Sequence, residues 1–138
     1  MKKQLILTLL LSFLAIAIGY SQTSQKTAAT AMTVTSASYT NTASDTAIYK
    51  ATSTFNSIAI QAVITKISGT VAGTAILKGS LDGINYEAIG ADTLTLTNQI
   101  TNTHIWTENG DKYLYYMIKV TGSGTMGASF KGWFLGRQ

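Results

Sequence analysis

The side chains able to do chemistry are few. His104 is the sole histidine, there is no cysteine, and the acids beyond the N-terminus are Asp45, Asp82, Glu87, Asp92, Glu108 and Asp111. A Ser–His–Asp constellation can draw its members from distant positions, so spacing alone does not decide it. The chain, however, lacks the Gly-x-Ser-x-Gly elbow that presents a nucleophilic serine. His104 sits in the alternating stretch "THIWT", on the face opposite Ile105, where a strand histidine reads as a surface or satisfied polar group. Paired carboxylates of the glycosidase kind are the next option. Asp82, Glu108 and Asp111 stand beside glycines in turn-like contexts, where Asp bonds its own backbone. So few acids leave little for a catalytic pair plus a polar cleft. No catalytic residue is expected, and the chain does not read as an enzyme.

The stretch "KGSLDGINYEAIG", Lys78 to Gly90, crowds Asp82, Asn85 and Glu87 around a glycine. A calcium loop of the EF type needs oxygen ligands at alternate positions and a distant Glu. Here the acids before the glycine are missing, so these three residues would make at most a weak cation site. Asp82–Gly83 is instead a strong hairpin dipeptide, because glycine supplies the positive φ of a tight turn. The expectation is a turn, with no metal and no cofactor. The absence of cysteine also removes disulfides, zinc–thiolate centres, a thiol nucleophile and a lipidated cysteine.

Aromatic residues gather in the C-terminal half: Tyr86, Trp106, Tyr113, Tyr115, Tyr116, Phe130, Trp133 and Phe134. Strand alternation sets Tyr113 and Tyr115 opposite a Leu114/Tyr116/Ile118 face. If that second face is uncovered, it offers aromatic surface to a sugar ring or a protein partner. Two candidate sites follow. Tyr113, Tyr115 and Trp133 would form an apolar contact face; Asp82, Asn85 and Trp106 would line glycan-binding loops.

The elements that must position these residues are strands. "SIAIQAVITKI" (Ser57–Ile67) alternates Ile58, Ile60, Ala62 and Ile64 against a partly covered face of Ala59, Gln61, Val63, Thr65 and Ile67. A Ser68–Gly69 turn leads into "TVAGTAILKGS". "YEAIG" and "DTLTLTN" read as two short strands, the latter with Leu94 and Leu96 inward. A strand near Thr103–Thr107, an Asn109–Gly110 turn, a strand over Lys112–Val120 and a closing "MGASFKGWFLG" complete the pattern. Threonine, 22 in all, suits the pleated surface. The fold class is therefore all-β, a single β-sandwich or jelly-roll-like domain over residues 46–138.

Ahead of it, "QTSQKTAATAMTVTSASYTNTASDTA" is too poor in large apolar groups to order itself, and residues 22–45 read as a flexible arm with an edge strand near Met32–Tyr39. Residues 1–21 carry Lys2 and Lys3, a 14-residue apolar run from Leu5 to Ile18, then Gly19 and Ser21. That is the layout of a secretory signal cleaved before Gln22, with a retained hydrophobic arm as its rival. Beyond residue 21 the lysines and Arg137 are scattered singly, which disfavours the clustered footprint of a nucleic-acid binder.

The segments "ILKGSLDGINYEAIG", "DTLTLTN" and "KYLYYMIKVTGSGTMGASFKGWFLGR" together resemble small β-sandwich, virion-associated proteins of tailed bacteriophages: decoration, head-fibre and tail accessory modules. The resemblance spans Ser57 to Arg137. The core "GS-x-DG-x-x-aromatic" is also similar to discoidin-type carbohydrate-binding domains. The signal ending "GYSQ" resembles those of Bacteroidetes, and "DTA" (Asp45–Ala47) and "DTL" (Asp92–Leu94) resemble that phylum's O-glycosylation sites. The signal departs from the phage pattern, since virion proteins assemble without export. The first resemblance implies an oligomeric decoration protein of a virion or surface assembly, with self-association and other virion or surface proteins as partners. The second implies a secreted glycan-binding module. An exported location follows from a cleaved signal, and a virion location from a retained arm, which would be the chain's only membrane contact.

Overall fold

Alternation of side chains decides the architecture. In β5 (Ser57–Ser68) Ile58, Ile60, Ala62 and Ile64 are buried and their neighbours are not, and in β10 (Gly127–Arg137) Ala128, Phe130 and Phe134 repeat the pattern. Each strand can hide only one face, so two sheets must close on one another. The computed structural model describes residues 29–35, 38–40, 43–110 and 112–138. The expected signal over 1–21 lies outside the described residues, as does Asp111.

The first sheet runs β10, β5, β8 (Thr101–Asn109), with β1 (Thr30–Ala31) and β3 (Ser38–Thr40) both on the far side of β10. The second runs β2 (Thr33–Val34), β4 (Ser44–Lys50), β9 (Tyr115–Gly122), β6 (Gly73–Ser80), β7 (Glu87–Leu96). Every pairing is antiparallel. Among the described residues there is no helix, so the all-β sandwich holds. We call these sheets A and B.

Thr30–Ala31, Thr33–Val34 and Ser38–Thr40, expected within a loose arm, are paired. The chain adds β1 to sheet A, crosses to add β2 to sheet B, and returns to sheet A as β3. Met32, at the crossing, is buried and donates its amide to the Gly132 carbonyl at 2.9 Å. A segment rich in Ala, Ser and Thr thus orders itself by covering the edges of β10 and β4 rather than by its own core, as exposed edges demand.

"YEAIG" and "DTLTLTN" form one strand, not two. β7 carries a bulge: Thr93 pairs with Ile76 and Ala88 with Lys78, so residues 89–92 oppose Leu77 alone. The extra residues bend β7 towards sheet A. There the Asp92 carbonyl accepts the Trp106 indole N–H at 3.1 Å, and the Asp92 carboxylate meets His104 Nε2 at 2.7 Å. This ties the sheets at one margin. At the other, Phe134 of sheet A stacks on Tyr49 of sheet B at 3.9 Å between ring centroids, with Phe55 and Tyr116 at 5.5 and 5.6 Å. With no disulfide available, this aromatic knot helps to lock the layers together. Truncating it, Phe134→Ala, is expected to cost about 3–5 kcal/mol, read as a lowered urea midpoint with an unchanged slope.

Candidate contact face

Sheet A carries its functional candidate on the outside. Register fixes the rows across it. Gln61 of β5 pairs with Trp133 of β10 on one side and with Ile105 of β8 on the other. The row above holds Lys131, Val63 and Thr103, the row below Leu135, Ala59 and Thr107, and a fourth row Ser129, Thr65 and Thr101. Because alternation is strict, all twelve side chains leave the same face. Ile105 is 54% exposed and Trp133 37%. Gln61 donates to Thr103 Oγ1 at 3.3 Å, which braces the centre. Lys131 is the one charge in these rows. A groove of about 280 Å³ beside Trp133 is lined by Ala31, Met32, Val34, Lys131 and Gly132. A second, about 350 Å³, lies at the Leu135 end between Ala59, Thr107, Glu108 and Arg137.

The outer face of sheet B differs in kind. Its rows place Lys50, Lys78 and Lys119 around Ile48, Met117 and Ile76. Met117 points outward by parity yet is buried, as expected where lysine stems lie along an apolar surface. Tyr115 stands on this face, with the Lys50 ammonium 5.6 Å from its ring centre. The β6–β7 turn lies over the ring: a Cβ added to Gly83 would stand 3.0 Å from it, and Gly83 has φ 75°. Only glycine meets both demands.

Asp82 builds that turn. One carboxylate oxygen accepts from Ser80 Oγ and from the amides of Ile84 and Asn85, each at 2.8 Å, and the other from Asn85 Nδ2 at 2.7 Å. The two backbone amides, then Asn85 and Ser80, hold its pKa well below the usual carboxylate range. A carboxylate so engaged is committed to the loop and not to a cation. Among the described residues no group of three or more His, Asp or Glu converges as a metal would require.

The residues expected to act together are dispersed. Trp133 lies on the outer face of sheet A and Tyr115 on that of sheet B, so they share no surface. Tyr113 precedes β9 rather than extending it: its ring packs over Gly79, where a Cβ would stand 2.5 Å away, and edge-on to Tyr116 at 5.9 Å. It belongs to the core's margin. Leu114, expected inward, is exposed. Trp106 is 3% exposed, its indole spent on the Asp92 carbonyl, so it has no ring face for a sugar, while Asp82 and Asn85 bond to one another within their own turn. His104 is held by Asp92 through Nε2 and stands edge-on to Trp106 at 4.7 Å; among the described residues no hydroxyl bonds to it. Asp45 is buried, the Thr46 hydroxyl contacts Thr35 at 2.7 Å, and Thr93 is exposed. Burial, with Asp45 close by, pushes the Tyr39 phenol up to about 12.

Sequence reasoning missed Gln61 and Ile105 as surface partners of Trp133, for which only inter-strand register supplies the signal. It also missed buried Asn102. That side chain accepts from the Thr97 amide at 2.9 Å and donates to the Thr97 carbonyl at 3.0 Å, closing the β7–β8 crossing.

No family model and no curated protein matches the chain. Among solved structures, it is similar to a chain from the Bacillus endospore appendages, disulfide-linked pili (15% identity, 82% of this chain and 88% of that one, TM-score 0.43). It is also similar to a CBM4 chain (13%, 69% and 61%, 0.41) and to one from the T13 IBDV viral particle (15%, 83% and 31%, 0.44). The match spans less than two thirds of the length of these last two.

The Asp82 turn makes a prediction of sign. Its folded pKa is depressed, so its contribution is complete above the unfolded value of about 4 and is lost as pH falls through the lower folded value. At pH 4 the Ile84 and Asn85 amide resonances should therefore still hold their neutral-pH positions in wild type. In Asp82→Ala they should collapse to loop-like shifts at every pH.

Proposed function

We propose that this chain is a non-enzymatic structural and interaction module that docks through the outer face of sheet A, as a decoration-type component of a virion or a cell-surface assembly. One observation carries the reading: a face with Trp133, Ile105, Leu135 and Val63, charged only by Lys131 and, at its end, Arg137, set against an opposite face with Lys50, Lys78 and Lys119. Soluble surfaces disperse such apolar groups, whereas contact faces concentrate aromatic and aliphatic residues and shed charge at their centre. The phage-protein resemblance over Ser57–Arg137 supports the same reading, with a virion or exported location.

A second reading has its own observation. Trp133 forms one wall of the groove containing Lys131 and Gly132, and an indole at a groove's rim can stack on a sugar ring. A secreted glycan-binding module would then use Trp133, not Trp106.

The two readings separate on one set of variants. Trp133→Glu should abolish co-sedimentation with the native particle or surface fraction, while Lys119→Glu on sheet B leaves it intact; far-UV circular dichroism should be unchanged in both. Loss in both variants alike, or in neither, contradicts docking through sheet A. Saccharide binding on an array that Trp133→Ala removes would establish the glycan reading in its place.

A further inference from the structure

We propose that the outer face of sheet B binds an acidic polysaccharide, with the carboxylate or sulfate groups of an extended sugar chain laid against Lys50, Lys78 and Lys119. This contact goes beyond docking, uses other residues, and stands or falls apart from it. The outer faces of the two sheets are opposite, so a copy docked through sheet A turns its sheet B lysines towards the surroundings.

Register gathers three cations that are far apart in the chain. Lys50 and Ser80 both pair with Tyr115, Lys78 pairs with Met117, and Lys119 pairs with Thr46 and Ile76. Strands ~4.8 Å apart, rising ~3.3 Å per residue, put the Cα atoms of Lys78 and Lys119 about 8 Å apart. The same spacings put Lys50 about 12 Å from Lys78 and about 14 Å from Lys119. Met117 lies at the centre of this triangle. That position explains why it is buried although it points outward, since the lysine stems close over it. Lys50 leans across the face, its ammonium 5.6 Å from the centre of the Tyr115 ring.

These charges are unbalanced. Among the described residues no carboxylate lies within ion-pair distance of any of the three. Asp45 is buried, Asp92 turns to His104 of sheet A, and Asp82 is spent on its own turn. Glu87 pairs with Gly79, on the other parity, and Glu108 belongs to sheet A. A face charged only by unpaired ammoniums attracts a chain of recurring negative charge. Its neutral residues select the kind of chain. Ile48 and Ile76 are half-buried among the lysines, so nothing apolar rises to enter a bilayer. No arginine stands in these rows to fork a phosphate, and the Tyr115 ring is already taken by the Gly83 turn and Lys50. The row beyond Lys119 instead holds Ser44, Thr121 and Thr74, whose hydroxyls can donate to and accept from those of a sugar.

Three ammoniums in water make a weak contact that salt screens, so binding is measured at low salt. The full chain should be retained on immobilised heparin and on immobilised alginate, and should pass through uncharged dextran. Affinity should fall between about 50 and 200 mM salt with a log–log slope of about −2 to −3. Lys50→Gln, Lys78→Gln and Lys119→Gln should each lower low-salt affinity about fivefold and shrink the slope by about one. Lys66→Gln, the same change of charge on β5 of the opposite sheet, should alter neither. Near-UV circular dichroism matching wild type in every variant secures the fold. Losses no larger in the three variants than in Lys66→Gln overturn the site. Tighter binding to duplex DNA or to phosphatidylglycerol vesicles than to both acidic sugars, at equal salt, overturns the partner. If either happens while Trp133→Glu still blocks docking, the docking face stands and only the sugar contact is lost.

Discussion

The ladder between β5 and β10 sets everything else in the molecule. These are the longest strands, and they pair from Ser57↔Arg137 to Ser68↔Gly127. Both alternate from Ser57 to Ile64 and from Ala128 to Arg137, before the bulge at Gly127, so this register decides in one step what is inside and what is outside. A slip of β10 by one residue against β5 would turn Phe134 out to water and Trp133 into the core beside Ile60. The hydrophobic effect forbids that slip, since burial of each large apolar side chain contributes about 1.5–3 kcal/mol. The same constraint that builds the interior therefore builds the outer face, and the row Trp133–Gln61–Ile105 follows from the packing of the other side.

Sheet B shows what the alternative looks like. Its outward positions around Met117 and Ile76 are also apolar, but Lys50, Lys78 and Lys119 stand over them. Charged side chains at such positions keep a sheet face in water and apart from its neighbours. Sheet A lacks this cover on its face, although the edge beside β10 is protected by β1 and β3. The margins of the sandwich then need ties of their own, and these are chemically unlike. The β7–β8 side is fastened by polar contacts of Asp92 with His104 and Trp106, the β4–β10 side by stacked rings.

Much of this was legible in the chain, and the failures have definite causes. Period-2 alternation in Ser57–Ile67 and in the last strand needs no partner to be read, and the Asp82–Gly83 turn follows from local chemistry. The bulge in β7 was not legible, because Gly90 and Ala91 look like a break between strands until Leu77 is set opposite them. Trp106 was misplaced because β8 is a margin strand, with Ile105 out and Trp106 in, and both parities carry an apolar residue. Tyr113 looked like part of an outward stripe, but the strand starts after it, and the hollow left by Gly79 draws its ring inward. The contact face itself needed register between strands distant in sequence, which no local pattern contains.

Trp133 supplies the most direct probe of the central claim, that the outer face of sheet A is where the protein makes contact. Trp106 is the only other tryptophan, and it is buried. The decisive measurement is acrylamide quenching of Trp133 fluorescence in a Trp106→Phe background, compared between dilute protein and the assembled state. The account predicts an emission shift to shorter wavelength and a several-fold fall in quenching on assembly. An indole equally open to quencher in both states would contradict it.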